Sequence, residues 1–274
     1  MNATVPGVPR TATLARIIAV HHTRDVLRKR WVIAYAVGLA ITGDLLLRLA
    51  GSGPSALVSL LNVVLLLIPL IALILGAASL YSAREFTELL LVQPIPRRAL
   101  FIGLYLGLTA PLMGATFVGL LLPFLVERAL DPVTVPPLVL LLAVSVLLVG
   151  VFTALAFVIT ITVRDRARGL GVAILAWLCL GVLYDGAVLA IATAFRDWPI
   201  ERGMLVAMAL NPIDLARTIL LLRLDVAALM GYTGAVFRLA FGSTAGLMLA
   251  LLLLLLWIAV PWTLGARAFD RGDF

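Results

Sequence analysis

The stretch Arg84-Glu-Phe-Thr-Glu-Leu-Leu-Leu-Val-Gln-Pro-Ile-Pro-Arg-Arg98 gathers more chemically capable side chains than any other part of this sequence. Glu85 and Glu88 are one helical turn apart and share a charged face. Phe86, Leu89, Leu90 and Val92 give the same short helix an apolar body. Arg84 opens it, Pro94 and Pro96 stop it, and Arg97 and Arg98 anchor the next apolar run at the inner headgroups. Apolar anchoring with charged orientation is the construction of a helix that inserts into a partner's groove. The simpler alternative is a solvated hairpin that only joins two spans.

Other candidates for chemistry are sparse. The chain has no Gly-x-x-x-x-Gly-Lys-Ser/Thr loop, so P-loop binding of ATP is excluded for this chain itself. It has no His-Glu-x-x-His motif either. His21 and His22 are adjacent, about 100° apart on a helix, and read as surface imidazoles rather than a metal pair. Met204 and Met208 share a helix face, but the methionines are otherwise scattered, which favours packing over a soft-metal relay. Cys179 is the sole cysteine and reads as a small packing residue. No serine, histidine and acid constellation stands out, which speaks against a hydrolase.

Charge at membrane depth carries more weight. Asp185, directly after Tyr184 in an apolar run, is costly in hydrocarbon unless it meets water, a donor or another helix. It reads either as a residue lining a pathway or gate, with Tyr184 and Asn62 as further polar candidates, or as an outer-end residue bonded to a loop. Asp44 and Arg48 are four apart on one helix face, near the outer end of their span.

The elements that must position these residues follow from composition. Hydrophobic residues make up 63% of the 274 and charged residues 13%, about half the usual share for soluble domains. Long continuous apolar runs indicate an all-α integral membrane protein rather than a barrel. Six spans are expected, at about 31–49, 57–80, 99–126, 138–163, 169–194 and 243–265, in a single transmembrane domain over 1–274. Residues 11–30 suit an amphipathic interfacial helix closed by Trp31, with no secretory signal before it. Pro69 should kink the second span, and Pro111 and Pro123 should interrupt the third. Residues 195–242 are too interrupted to span, with a short surface helix expected at Val226 to Leu239. Placing the N-terminus, the 81–98 loop, the 164–168 turn and the C-terminal tail together puts 14 Lys/Arg on one side and seven on the other. Both termini are therefore expected in the cytoplasm.

Glu88 with Leu89-Leu-Leu-Val-Gln-Pro-Ile-Pro-Arg97, followed at once by a span, resembles the membrane subunit of ATP-binding-cassette exporters of the type-2 permease superfamily. The resemblance covers the whole chain. Tyr184-Asp-Gly-Ala-Val-Leu189, Asn211-Pro-Ile-Asp-Leu-Ala-Arg217 and Phe269-Asp-Arg-Gly-Asp-Phe274 are most similar to the permeases that mature nitrous-oxide reductase. It implies the type-2 ABC exporter permease fold in a bacterial inner membrane. It further implies a second copy of the chain, two cytoplasmic ATPase subunits that hold ATP and magnesium, and a periplasmic maturation protein, with no cofactor on this chain. Residues 84–93 would be the cytoplasmic coupling helix, with Arg84, Glu85, Phe86, Glu88, Leu89, Leu90, Pro94 and Arg97 contacting the ATPase or shaping the loop. Arg164, Asp165, Arg166 and Arg168 would form a smaller second contact. Asn211, Asp214 and Arg217 would shape the outer segment and meet the periplasmic partner. The spans carry few soft ligands, so export of a sulfur-containing species, or remodelling of the outer partner, suits the residues better than a copper path. A secondary transporter or channel acting alone, and a scaffold that moves nothing, are the competing classes.

Overall fold

The computed structural model describes residues 11–50, 53–84, 87, 95–195, 201–223 and 244–271, and every regular element among them is helical. Among the described residues, six helical stretches are long and apolar enough to cross a membrane. Helix α1 (Thr11–Arg28) is followed, after a break at Lys29, by α2 (Arg30–Ala50). Then come α3 (Gly53–Ser82), α4 (Arg97–Val126) and α5 (Val135–Thr162). The fifth span is composite: α6 (Arg166–Leu178), a π-helical turn at Cys179–Leu183, and α7 (Tyr184–Ala194). Two short helices, α8 (Glu201–Ala209) and α9 (Pro212–Arg223), precede the last span, α10 (Thr244–Arg271). The helix expected at 226–239 lies outside the described residues.

Helix α5 is the centre of the bundle. It is apolar on all sides, as a helix surrounded by others must be, and 67% of its most apolar window is buried. Helices α3, α4, α6, α9 and α10 all pack on it. Its few polar groups are paired inside the bundle: Thr109 on α4 donates to Thr153 Oγ1 at 3.1 Å, and Tyr105 donates to the Gly150 carbonyl at 3.1 Å. Such interhelical bonds are worth about 0.6 kcal/mol each in a membrane, up to about 1.7, so their main effect is to fix register.

Helices α1 and α2 run one after the other along α4. Glycines let them approach. A methyl group added at Gly103 would lie 2.7 Å from Ile18 Cβ, and one at Gly107 would lie 2.7 Å from His22 Cβ. At Gly119 it would lie 2.8 Å from the Ala36 carbonyl oxygen. Tyr35 and Thr116 share a buried hydrogen bond of 2.8 Å across the α2–α4 seam. At the far end Arg48 pairs with Asp44 at 2.9 Å and with Glu127 at 2.7 Å. Helix α4 has 30 residues, roughly 45 Å at 1.5 Å per residue, against a hydrocarbon core of about 30 Å. Helix α1 packs on its first half, at Gly103 and Gly107.

One expectation is corrected. Pro111 and Pro123 do not interrupt the third span: α4 is continuous through both. The two rings are buried, Pro123 against Gly43 of α2. Neighbouring helices hold a transmembrane helix together across a proline that would break it in water.

The stretch read from sequence as too interrupted to span forms a bent pair. The Gly203–Ala209 and Pro212–Leu222 axes meet at 109°. On α9, Ile213, Leu215, Ala216, Ile219 and Leu220 are buried. At the apex, the Ala209 carbonyl accepts a hydrogen bond from Trp257 Nε1 at 3.0 Å. Trp257 lies roughly 21 Å along α10 from Arg271 at 1.5 Å per residue, so the apex folds back deep into the bundle.

Candidate functional site

Two separate groups of candidate residues form, one at an end of the bundle and one deeper within it. The first surrounds the turn between α5 and α6. Asp165 caps α6, its Oδ1 accepting from the Arg168 backbone N–H at 2.8 Å, which satisfies one of the helix's orphan donors. Arg164, Arg166 and Arg168 are exposed around it. The end of α3 grips this turn: Tyr81 donates to the Val163 carbonyl at 2.7 Å and Arg84 Nη1 to the Arg164 carbonyl at 2.9 Å. Gly169 is buried beneath Tyr81, and any side chain there would overlap the phenol hydroxyl. Nearby, Arg97 donates to the Asp270 carbonyl at 3.0 Å and Arg98 pairs with the Asp270 carboxylate at 3.0 Å. Phe101 contacts Phe157, Trp262 and Phe269 at ring separations of 5.3 to 5.7 Å. The ends of α4, α5 and α10 are thereby joined into one block. Of the loop candidates, Glu85, Phe86, Glu88, Leu89, Leu90 and Pro94 lie outside the described residues.

The second group forms where the bent pair meets the fifth span. Asn211 stands just before Pro212, with its Oδ1 accepting from the Ile213 N–H at 3.0 Å. An Asn cap followed by proline at the first helical position is a strong start signal for α9. Its Nδ2 donates to the Leu180 carbonyl at 2.7 Å, inside the π-helical turn, and reaches Asp214 Oδ2 at 3.3 Å. Tyr184, at the end of that turn, donates to the Ala207 carbonyl of α8 at 2.6 Å. Arg217 Nη1 then bridges two acids, Asp185 Oδ2 at 2.5 Å and Asp214 Oδ1 at 3.0 Å. The π turn thus both rotates Tyr184 and Asp185 toward α8 and α9 and offers a carbonyl to Asn211; such turns often mark functional sites.

The resulting cluster has two carboxylates and one guanidinium. It borders a cavity of about 330 Å³ also lined by Met204, Met208 and Thr218. Asp185 Oδ1 is buried without a hydrogen-bond partner. The side chains of Arg217 and Asp185 are 30% and 33% exposed, so the pair is not sealed in the core.

The sequence-predicted pathway residues Tyr184 and Asp185 and the outer-segment residues Asn211, Asp214 and Arg217 therefore form one site rather than two. Asn62 does not join them; it is exposed on α3. Sequence reasoning missed the Asp185–Arg217 pair, which is 32 residues apart in the chain, and the placement of Met204 and Met208 beside it. It also missed the docking of α1, although Gly103 and Gly107 have the small-xxx-small spacing that signals close helix approach. His22 is half-buried against Gly107 rather than a surface imidazole. No three His, Cys, Asp or Glu side chains converge as a metal site among the described residues.

Comparison with known proteins follows the same outline. Residues 16–274 match the family described as ABC-2 family transporter protein. A probable ABC transporter permease protein NosY of Pseudomonas aeruginosa is 31% identical, over 94% of this chain and 96% of its own. A protein of the same description from Stutzerimonas stutzeri is 27% identical, over 93% of this chain and 97% of its own.

Proposed function

This chain belongs to the ABC-2 transporter family, and from that premise we propose that it is the NosY-type permease of an exporter powered by a separate ATPase. In this reading the ATPase holds ATP and magnesium, and two copies of the permease work with two ATPase subunits. The 84–93 helix enters the ATPase cleft, while the 164–168 turn makes a second, smaller contact. Both termini lie in the cytoplasm. The outer end serves the copper-site maturation of nitrous-oxide reductase, by exporting a sulfur-containing species or by remodelling a periplasmic partner.

The observation that carries the reading is the grip of Tyr81 and Arg84 on the Val163 and Arg164 carbonyls. The end of α3, from which the first loop leaves, is thereby tied directly to the second turn. Asp165 then fixes that turn to α6, and α6 leads through the π turn to Tyr184 and Asp185. Motion at the start of the fifth span thereby bears on the Asp185–Arg217–Asp214 cluster farther along it. Tyr184, Asp185 and the bent pair act as the gate, and Asn211, Asp214 and Arg217 hold its shape toward the partner.

The test is ATP hydrolysis by the reconstituted full complex. Glu88→Arg with Leu90→Asp should lower permease-stimulated hydrolysis at least tenfold while membrane insertion is unchanged. Gly169→Ala, which displaces Tyr81, should lower it several-fold with the ATPase still bound. Wild-type rates in both variants would sink the coupling assignment. Efflux of a labelled sulfur species from vesicles separates export from remodelling, which would instead alter protection of the outer segment on nucleotide addition.

A further inference from the structure

A cavity of about 680 Å³ lies between α1 and the end of α3, at the same end of the bundle as the 163–168 turn. Ile17, Ile18 and Ile95 form an apolar wall; His21, His22, Asp25, Lys29 and Ser82 supply polar groups. The formal charges lining it are one cation and one anion, placed four residues apart. Lys29 Nζ makes only a long bond of 3.4 Å to Ser79 and lies 6.0 Å from the centroid of the Trp31 ring. Asp25 forms no ion pair or hydrogen bond among the described residues, so the two charges do not neutralise each other. His22 Nε2 is buried without a partner. Burial first, and then the Lys29 charge, hold the His22 imidazole below its ordinary range, with Asp25 opposing. The ring is thus neutral near pH 7 and adds no third charge.

Trp31, of a residue type enriched at membrane–water interfaces, lies beside Lys29, which suits a groove at headgroup level. An apolar wall with one unpaired cation and one unpaired anion matches an amphiphile that carries both charges itself. We propose that the groove is a binding site for an aminophospholipid of the phosphatidylethanolamine type. Lys29 receives the phosphate, Asp25 accepts hydrogen bonds from the primary ammonium, and the glycerol and first acyl carbons lie on Ile17, Ile18 and Ile95. An anionic lipid leaves Asp25 facing an uncompensated charge. A choline lipid presents no N–H to it, and free phosphate has nothing for the apolar wall. The lipid would wedge α1 against the end of α3, next to the elements that carry the loop.

The experiment is native mass spectrometry of the full chain in detergent, titrated with phosphatidylethanolamine, phosphatidylglycerol or phosphatidylcholine at equal concentration. Wild type should retain phosphatidylethanolamine at least threefold more than either other lipid. Asp25→Asn should remove that preference, and Asp25→Glu should keep it. Lys29→Ala should lower retention of all three at least threefold, while Arg28→Ala, which does not line the groove, should change nothing. Equal retention of the three lipids by wild type, a preference for phosphatidylglycerol, or a preference that survives Asp25→Asn would overturn the proposal. The readout needs no ATPase, so its failure is separate from failure of the coupling assignment.

Discussion

Arg217 holds two carboxylates that repel each other. It donates to Asp185 and Asp214 from one nitrogen, and Asn211 supports Asp214 from the side. Removing the guanidinium leaves two acids side by side near a largely apolar cavity, with Asp185 Oδ1 already without a partner. Breaking a fully buried pair costs about 3–5 kcal/mol, and exposed pairs are worth little. For side chains about a third exposed, an intermediate loss of about 1–3 kcal/mol is expected for Arg217→Ala. Thermal unfolding of the purified chain checks this, and Asp185→Asn combined with Asp214→Asn in the same background should recover part of the loss. No recovery would mean that Arg217 acts through packing instead of charge. Of this cluster, Asp185 was visible in the sequence as an acid in an apolar run, and Asn211, Asp214 and Arg217 were singled out by the family resemblance. Their mutual contact was not, because pairs 32 residues apart leave no local periodicity to read.

At the scale of elements, α4 is the track on which the first two helices of the chain are laid. Its glycines at 103, 107 and 119 make room for α1 and α2. Gly107→Leu should push α1 outward, because the displaced atoms include the Ala19 carbonyl as well as the His22 side chain. Overpacking of this kind costs about 1–3 kcal/mol. Hydrogen exchange should then rise several-fold across 11–28 while α5 stays protected; unchanged exchange in α1 would show that its docking is not set by this contact. The six spans were legible from length and hydropathy. The continuity of α4 through Pro111 and Pro123 was not, since a proline's effect depends on whether neighbours brace the helix. Nor was the bent pair, whose halves are each too short and too polar at their ends to be scored as a span.

The whole molecule is unevenly covered. The best windows of α3 and α5 are 50% and 67% buried, whereas that of the Arg166–Ala194 span is only 6% buried. That span carries the partly exposed Asp185 and the exposed Cys179. Lipid suits its leucines and isoleucines, but not Asp185, which calls for water or another protein surface beside it. Orientation is testable at this scale. In a Cys179→Ser background, a cysteine at Asp131 should react with a membrane-impermeant maleimide from the outside. A cysteine at Arg168 should react only after the membrane is opened. The reverse pattern would invert the topology and remove the coupling assignment with it.

By itself the sequence determined that this chain is a helical membrane protein of six spans with a charged, proline-ended loop between the second and third. Those properties are local: a span is set by its own length and hydropathy, and the loop by its own charges and prolines. Only the tertiary structure decided that α1 lies against α4, that Tyr81 and Arg84 bind the second turn, and that Tyr184, Asp185, Asn211, Asp214 and Arg217 form one site. Each of these depends on which faces meet across the bundle, and in a chain this apolar most faces look alike until packing selects among them.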